Sequence, residues 1–303
     1  MLGWNLDLGL DLGTSITRVY QRGVGIVLAE PSALAVSPSS GELVAVGAEA
    51  KLIADQGSAE ARVVFPVSGG VVADHQAAAM MLRALIRRAL GKRHLFMPRM
   101  LVAVTTGATP VERAALVHAV QAAGARRVRL VDSTLAGAIG AGLVPTDRSA
   151  RLVVSMGGGA TTFGVVSQGR LVWGRMVRFG GRDLDEAIRK MMRNRYGLSL
   201  APATAEQMKL RVGAVLPQMA RTRAALGGGE VYGELFRNLE ITLDGLPDVL
   251  ARALAPAINE IHWSIAEAPA EQRAEIRANG VLLIGGTALL QGIPQVMRER
   301  LGV

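Results

Sequence analysis

One strand-turn-strand unit occurs twice in this sequence, about 145 residues apart. The first copy, LDLGLDLGTSITRVYQRG from Leu6 to Gly23, alternates apolar residues at Leu6, Leu8, Leu10 and Leu12. Gly13-Thr14-Ser15 breaks the run and Ile16 to Tyr20 returns, the pattern of a hairpin. The second copy, RLVVSMGGGATTFGVVSQGRLV from Arg151 to Val172, repeats the apolar strand, a turn at Gly157, Gly158 and Gly159, and a return over Phe163 to Val166. A duplicated architecture follows. Asp11 sits just before the first turn inside an apolar strand, where a lone carboxylate is costly. It therefore calls for a partner such as a hydrated cation. The amides of Gly13, Thr14 and Ser15 are placed to form a nest for an anion. A carboxylate beside such a nest suits magnesium and phosphate. Alone, the first copy would read as an ordinary hairpin; the second copy argues against that.

Between the copies the pattern is strand, helix, strand, helix, which implies a parallel sheet with crossover helices. The run Gly25 to Val36 and the stretch Gly41 to Val46 read as strands around the turn cluster Ser37 to Gly41. Asp74 caps a helix to about Leu90. Met100 to Val104 reads as a buried strand, and Thr109-Pro110-Val111-Glu112 as a capping box with proline at the first helical position. Arg127 to Val131 is the next strand, and Asp132-Ser133-Thr134 starts a helix. After the second copy, Asp183 to Glu186 reads as another capping box and Thr204 as the cap of a helix bearing Glu206 and Lys209, three apart on one face. Gly227-Gly228-Gly229 and the short runs to Leu243 suggest a small outer subdomain. Pro256 is expected to interrupt or kink a helix starting at Pro247. Val281 to Ile284 reads as a strand, Gly285-Gly286-Thr287 as a turn, and Ala288 to Leu301 as mostly helix.

With 303 residues the chain can hold two domains and bury a large core. Half of it is hydrophobic and the mean hydropathy is +0.30, yet no run of about 18 uncharged apolar residues exists to span a membrane. Asp7 and Asp11 interrupt the N-terminal apolar stretch, against a signal peptide. Cysteine is absent and the four histidines lack metal-ligand spacing. The net charge of +9 favours anionic partners, while 4% aromatics is too few for base stacking. That ranks a membrane surface above nucleic acid. The stretch His94 to Pro98 presents Leu95 and Phe96 among Arg87, Arg88, Lys92, Arg93 and Arg99, which suits an anionic bilayer, and Leu2 and Trp4 at the N-terminus would assist.

The segments DLGTSITRVY, GIVLAEPSALAV, PRMLVAV, GATPVERAAL, AAGARRVRLV, AGAIGAGL, GGGATT and FGGRDLDEAI, in this order, resemble the MreB family of bacterial actins almost end to end. The resemblance implies an α/β, duplicated, actin-like (ribonuclease-H-like) fold. Its halves, 1–144 and 145–303, would flank a nucleotide cleft and carry inserted subdomains near 33–66 and 186–244. Relatives continue through a further strand and helix. It implies ATP or ADP with magnesium: Asp11, Gly13, Thr14 and Ser15 match the first phosphate loop, Gly157, Gly158, Gly159 and Thr161 the second. Glu206 and Lys209 match a pair bordering ribose and adenine, and Gly285, Gly286 and Thr287 the adenosine-side loop. Asp11 would serve the metal directly or through water. The resemblance also implies self-assembly into filaments, including double protofilaments, on the inner face of the cell membrane, a cytoplasmic location, and partners in cell-wall synthesis or morphogenesis.

Several positions depart from the family pattern. Ser133 stands where a water-positioning glutamate is usual, and Ser155 where an aspartate is usual. Ala160-Thr161-Thr162 replaces Thr-Thr-Glu, Ile16 replaces asparagine, and Thr287 replaces glycine. The expectation is a nucleotide binder with impaired hydrolysis, acting in a cell-shape filament. Alternatives are a non-cycling membrane-bound interaction module, a filament segregating DNA or organelles, and, least favoured, a sugar kinase, since fold alone does not settle function.

Overall fold

The computed structural model describes residues 7–56, 61–91, 98–146, 148–220, 223–231 and 234–302. Leu2, Trp4, Leu95 and Phe96, with Lys92 and Arg93, lie outside them.

The strand β1 (Asp7–Leu12) buries Leu8, Leu10 and Leu12 and turns Asp7, Gly9 and Asp11 to its half-open face. Next, β2 (Ile16–Gln21) returns antiparallel, with Leu12 opposite Thr17 and Asp11 opposite Arg18. The run expected from Gly25 to Val36 divides: β3 (Gly25–Pro31) continues the meander, and β4 (Leu34–Val36) joins another sheet. The break falls at Ser32, whose hydroxyl lies 2.8 Å from the Thr17 hydroxyl and donates to the Gly13 carbonyl at 2.6 Å. A buried serine that ties down the first turn cannot also continue the strand. In a three-stranded sheet, β4 is flanked by β5 (Leu43–Val46) and β6 (Arg62–Val64), with α1 (Ala48–Gln56) between them in sequence. Its small core is built from Ala33, Ala35, Ala50 and Ala61.

A short hairpin of β7 (Val67–Ser68) and β8 (Val71–Val72) leads to α2 (His75–Leu90). Asp74 caps α2 by accepting from the Ala77 amide at 2.9 Å, and Met81, Leu82, Leu85 and Ile86 form its buried face. Parallel to β1 runs β9 (Arg99–Val104). The helix α3 (Pro110–Ala122) starts with the full capping box: Glu112 accepts from the Thr109 amide at 2.8 Å and its own amide donates to the Thr109 hydroxyl. Parallel to β9, β10 (Arg127–Asp132) delivers the chain into α4 (Ser133–Gly140). The sheet order is β10-β9-β1-β2-β3.

The second copy is built likewise: β11 (Arg151–Met156) pairs antiparallel with β12 (Thr161–Ser167), and β13 (Arg170–Val177) follows beyond the turn at Gln168-Gly169. Here α5 (Gly181–Tyr196) begins before the expected Asp183 cap, and Asp183 instead accepts from the Gly180 amide at 2.7 Å. After β14 (Leu198–Ser199), α6 (Pro202–Val212) begins at its proline rather than at Thr204, because proline fits the first turn at no hydrogen-bonding cost. The Gly227-Gly228-Gly229 triplet lies inside β15 (Arg223–Val231), which forms a hairpin with β16 (Glu234–Thr242). Pro256 does not divide α7 (Leu246–Glu267), which buries Leu250, Leu254, Ile258 and Ile261 on one face. That packed face outweighs the one lost hydrogen bond. After α8 (Ala270–Asn279), β17 (Val281–Ile284) runs parallel to β11. A 3-10 turn over Gly286–Leu289 separates it from α9 (Ile293–Leu301). The order here is β13-β12-β11-β17, so both sheets share a meander plus a parallel strand returning beside its first member.

The chain divides into two compact units after Gly140, with Gly174–Met176 grouped with the first.

Candidate functional site

Both turns are closed in the same way. The Gly13 amide donates to the Ile16 carbonyl at 3.2 Å, and the Gly157 amide to the Ala160 carbonyl at 2.9 Å. Each of these two amides closes its own hairpin turn. The Thr14 hydroxyl accepts from the Gly70 amide at 3.0 Å, which fixes the first loop from its other side.

In the first unit, the partner of Asp11 is a side chain. Arg18 Nη1 lies 3.1 Å from Asp11 Oδ2, and about half of each side chain remains exposed. Burial pushes the Asp11 carboxyl up from its ordinary value, against the opposing pull of Arg18. The folded state then holds this proton more tightly than the unfolded chain does. The ionised carboxylate lowers stability as pH rises through the ordinary carboxylate range, and the penalty vanishes below it. Because half of the side chain is open to water the penalty is small, so Asp11→Asn is expected to raise the Tm only slightly at neutral pH, with a gain that shrinks as pH falls. A lower Tm at neutral pH would mean that the Arg18 contact outweighs the burial.

Ser133 accepts from the Thr106 amide at 3.2 Å at the start of α4. Its neighbour Asp132 is engaged elsewhere, by Arg113 Nη2 at 3.2 Å. The adjacent carboxylate is thus held in an ion pair and does not stand in for the missing glutamate.

In the second unit three backbone segments meet. The Gly157 carbonyl accepts from the Gly181 amide at 3.0 Å and the Thr287 hydroxyl at 2.8 Å, and the Gly158 carbonyl from the Arg182 amide at 2.8 Å. A Cβ at Gly180 would lie 2.6 Å from the Gly158 carbonyl carbon, and one at Gly285 would collide with the Met156 backbone. Gly285 also has φ +92°, so glycine is required there twice over. Gly286 borders open space. Lys209 Nζ lies 2.8 Å from Asp185 and donates to the Gly181 carbonyl at 2.9 Å, with both charged side chains nearly buried. Burial lowers the Arg182 pKa, while Glu206 and Asp185 pull the other way. Two cations and two carboxylates thus form a balanced group behind the glycine junction.

Sequence reasoning missed Arg18, Gly180, Asp185 and Arg113. The three-residue turn read from the sequence would place Thr17 opposite Asp11; the turn spans four residues, 13–16, which brings Arg18 there instead. Nothing in the spacing links Asp185 to Lys209.

The described side chains do not build a magnesium site by themselves, and the one carboxylate at the first loop is shared with a guanidinium. Magnesium takes oxygen ligands in near-octahedral geometry, usually one or two carboxylates with waters and substrate phosphates. Here Asp11 carries a guanidinium, Ser133 and Ser155 are hydroxyls, and no group of three metal-ligating side chains occurs among the described residues.

The family model described as MreB/Mbl protein matches residues 5–303. The cell shape-determining protein MreB of Escherichia coli K12 is 34% identical over 98% of this chain and 87% of its own length. The crystal structure of MreB5 of Spiroplasma citri bound to AMPPNP superposes with a TM-score of 0.89 at 26% identity, covering 99% of this chain and 90% of that one. The MamK double helical filament matches with a TM-score of 0.79 over 98% of this chain and 91% of that one; at 18% identity this is a likeness of fold. The fold is actin-like, and the chain belongs to the MreB/Mbl family.

Proposed function

We propose that this protein is an actin-like, cell-shape-determining filament protein that binds adenine nucleotide and hydrolyses it slowly. The observation that carries the reading is the pair of matched hairpin loops, one backed by Ser32 and Gly70, the other by the glycine junction. It is supported by the AMPPNP bound to MreB5 and by the name of the Escherichia coli relative. In the first unit Thr14 and Ser15 would serve phosphate; in the second, Gly158, Gly159 and Thr161 would serve phosphate and Glu206, Lys209, Gly286 and Thr287 the adenosine. The hydroxyls of Ser133 and Ser155 would bind water without activating it, which accounts for slow hydrolysis.

We further place the filament on an anionic inner-membrane surface, anchored by Leu2, Trp4, Leu95 and Phe96. Among the described residues no helix is long and apolar enough to cross a membrane. The electrostatic share is smaller than the count of flanking arginines implies. Arg88 is engaged by Glu30 and Glu49, and Arg99 by Asp7 at 2.7 Å. Arg87, together with Lys92 and Arg93 outside the described residues, would contribute about 1 kcal/mol each at an anionic surface.

Sedimentation and negative-stain microscopy with ATP, with ADP and without nucleotide test the filament. Anionic and neutral vesicles test the membrane. Pelleted filaments are expected, and Leu95→Ser with Phe96→Ser should lose vesicle binding at every salt concentration. A monodisperse monomer at high concentration in every nucleotide state would overturn the scaffold. Undiminished vesicle binding by the serine variant would overturn the anchor.

A further inference from the structure

We propose that Arg18 takes the place of the divalent cation in this chain: its guanidinium neutralises the nucleotide's phosphate at the Gly13–Ser15 loop, and binding proceeds without magnesium. The inference rests on the nucleotide reading above.

Geometry supplies the first argument. Asp11 and Arg18 are direct cross-strand partners one residue pair from the turn, and their side chains meet at 3.1 Å. A metal approaching this carboxylate, directly or through water, would have to displace a guanidinium tethered beside it. The contact runs through Nη1, and 48% of the Arg18 side chain is exposed. A guanidinium has five N–H donors in a planar fork, so one edge can hold the carboxylate while the rest address phosphate oxygens.

The second hairpin supplies an independent argument. Met156 is opposite Thr161 there, as Leu12 is opposite Thr17 in the first. The register position of Asp11 is therefore taken by Ser155, and that of Arg18 by Thr162, which face each other. One copy holds an anion and a cation; the other holds two hydroxyls. Each pair is charge-balanced within itself, and neither offers an unshared carboxylate to a metal. With Asp132 taken by Arg113, the nearest carboxylate to Ser133 is also committed. In the first copy the N–H donors a bound phosphate requires are supplied by the exposed part of the Arg18 guanidinium, which only one contact ties to Asp11.

The test is a fluorescence titration of the full chain with labelled ATP and ADP, in millimolar magnesium and in EDTA. The parent's affinity is expected to change by less than about threefold on chelation. Arg18→Leu should weaken binding about tenfold or more in EDTA, the scale of one charge-assisted hydrogen bond. It should regain affinity with magnesium, because Asp11 is then uncovered. Arg18→Lys, which keeps the charge without the fork, should fall between. Thermal unfolding without nucleotide checks that each variant folds. A parent that loses tenfold or more in EDTA overturns the proposal and leaves the nucleotide reading standing. An Arg18→Leu variant that matches the parent in EDTA also overturns it. No binding by any protein in either buffer overturns both.

Discussion

Lys209→Met is expected to lower the stability of the second unit by about 3 kcal/mol and its Tm by roughly 6–12 °C. Lys209 and Asp185 are nearly buried, and their charged atoms lie 2.8 Å apart. Removing the lysine leaves a desolvated carboxylate whose remaining support includes the charge of Arg182. It also releases the Gly181 carbonyl, which Lys209 holds at the start of α5. The loss comes from stranding the anion rather than from the worth of the pair, and a second substitution separates these. Lys209→Met with Asp185→Leu removes both charges and should recover most of the stability. Calorimetry of the parent, the single and the double variant decides it. A double variant no more stable than the single one would locate the cost in packing or in the Gly181 contact.

Ser133→Glu is expected to raise phosphate release by about 10²-fold, the low end of what a positioned acid or base contributes. The low end applies because Ser155 remains a hydroxyl. The position tolerates the change: Ser133 is the first residue of α4, where an acidic side chain interacts favourably with the helix dipole. The neighbouring Asp132 cannot supply this function while Arg113 holds it. Single-turnover phosphate release at saturating nucleotide is the measurement. An unchanged rate in a variant that binds nucleotide as the parent does would mean that hydrolysis is limited elsewhere. A parent rate already equal to that of an intact bacterial actin would remove the premise.

Much of the fold was legible because local signals and tertiary structure agree. The Asp74 cap, the Thr109–Glu112 box and both hairpins occur where their residues predict them. Two departures share a cause: burial outweighed a local preference. Pro256 stays inside α7 because that helix packs a long apolar face, and Ser32 ends β3 because its hydroxyl is needed under the first turn. In the site, the glycine-rich loops and the serine replacements are visible in sequence, since each is an identity at a position. The pairings are not. That Lys209 turns to Asp185 and Asp132 to Arg113 depends on how helices meet. The Asp11 partner was expected to be a cation from solution, and the chain provides the cation itself.

The junction of Gly157–Gly159, Gly180 and Gly285 also has a mechanical consequence. Elsewhere in a protein a small displacement is absorbed by side chains, which change rotamer and leave the neighbouring backbone in place. Here main chain rests on main chain, with hydrogen bonds from the Gly181 and Arg182 amides across the contact and a further one from the Thr287 hydroxyl. Such a joint has no slack. A ligand that shifts the Gly158 peptide must carry with it the first turn of α5 and the turn after β17, so a strain applied at the loop reaches the far end of a 16-residue helix as motion of a rigid lever.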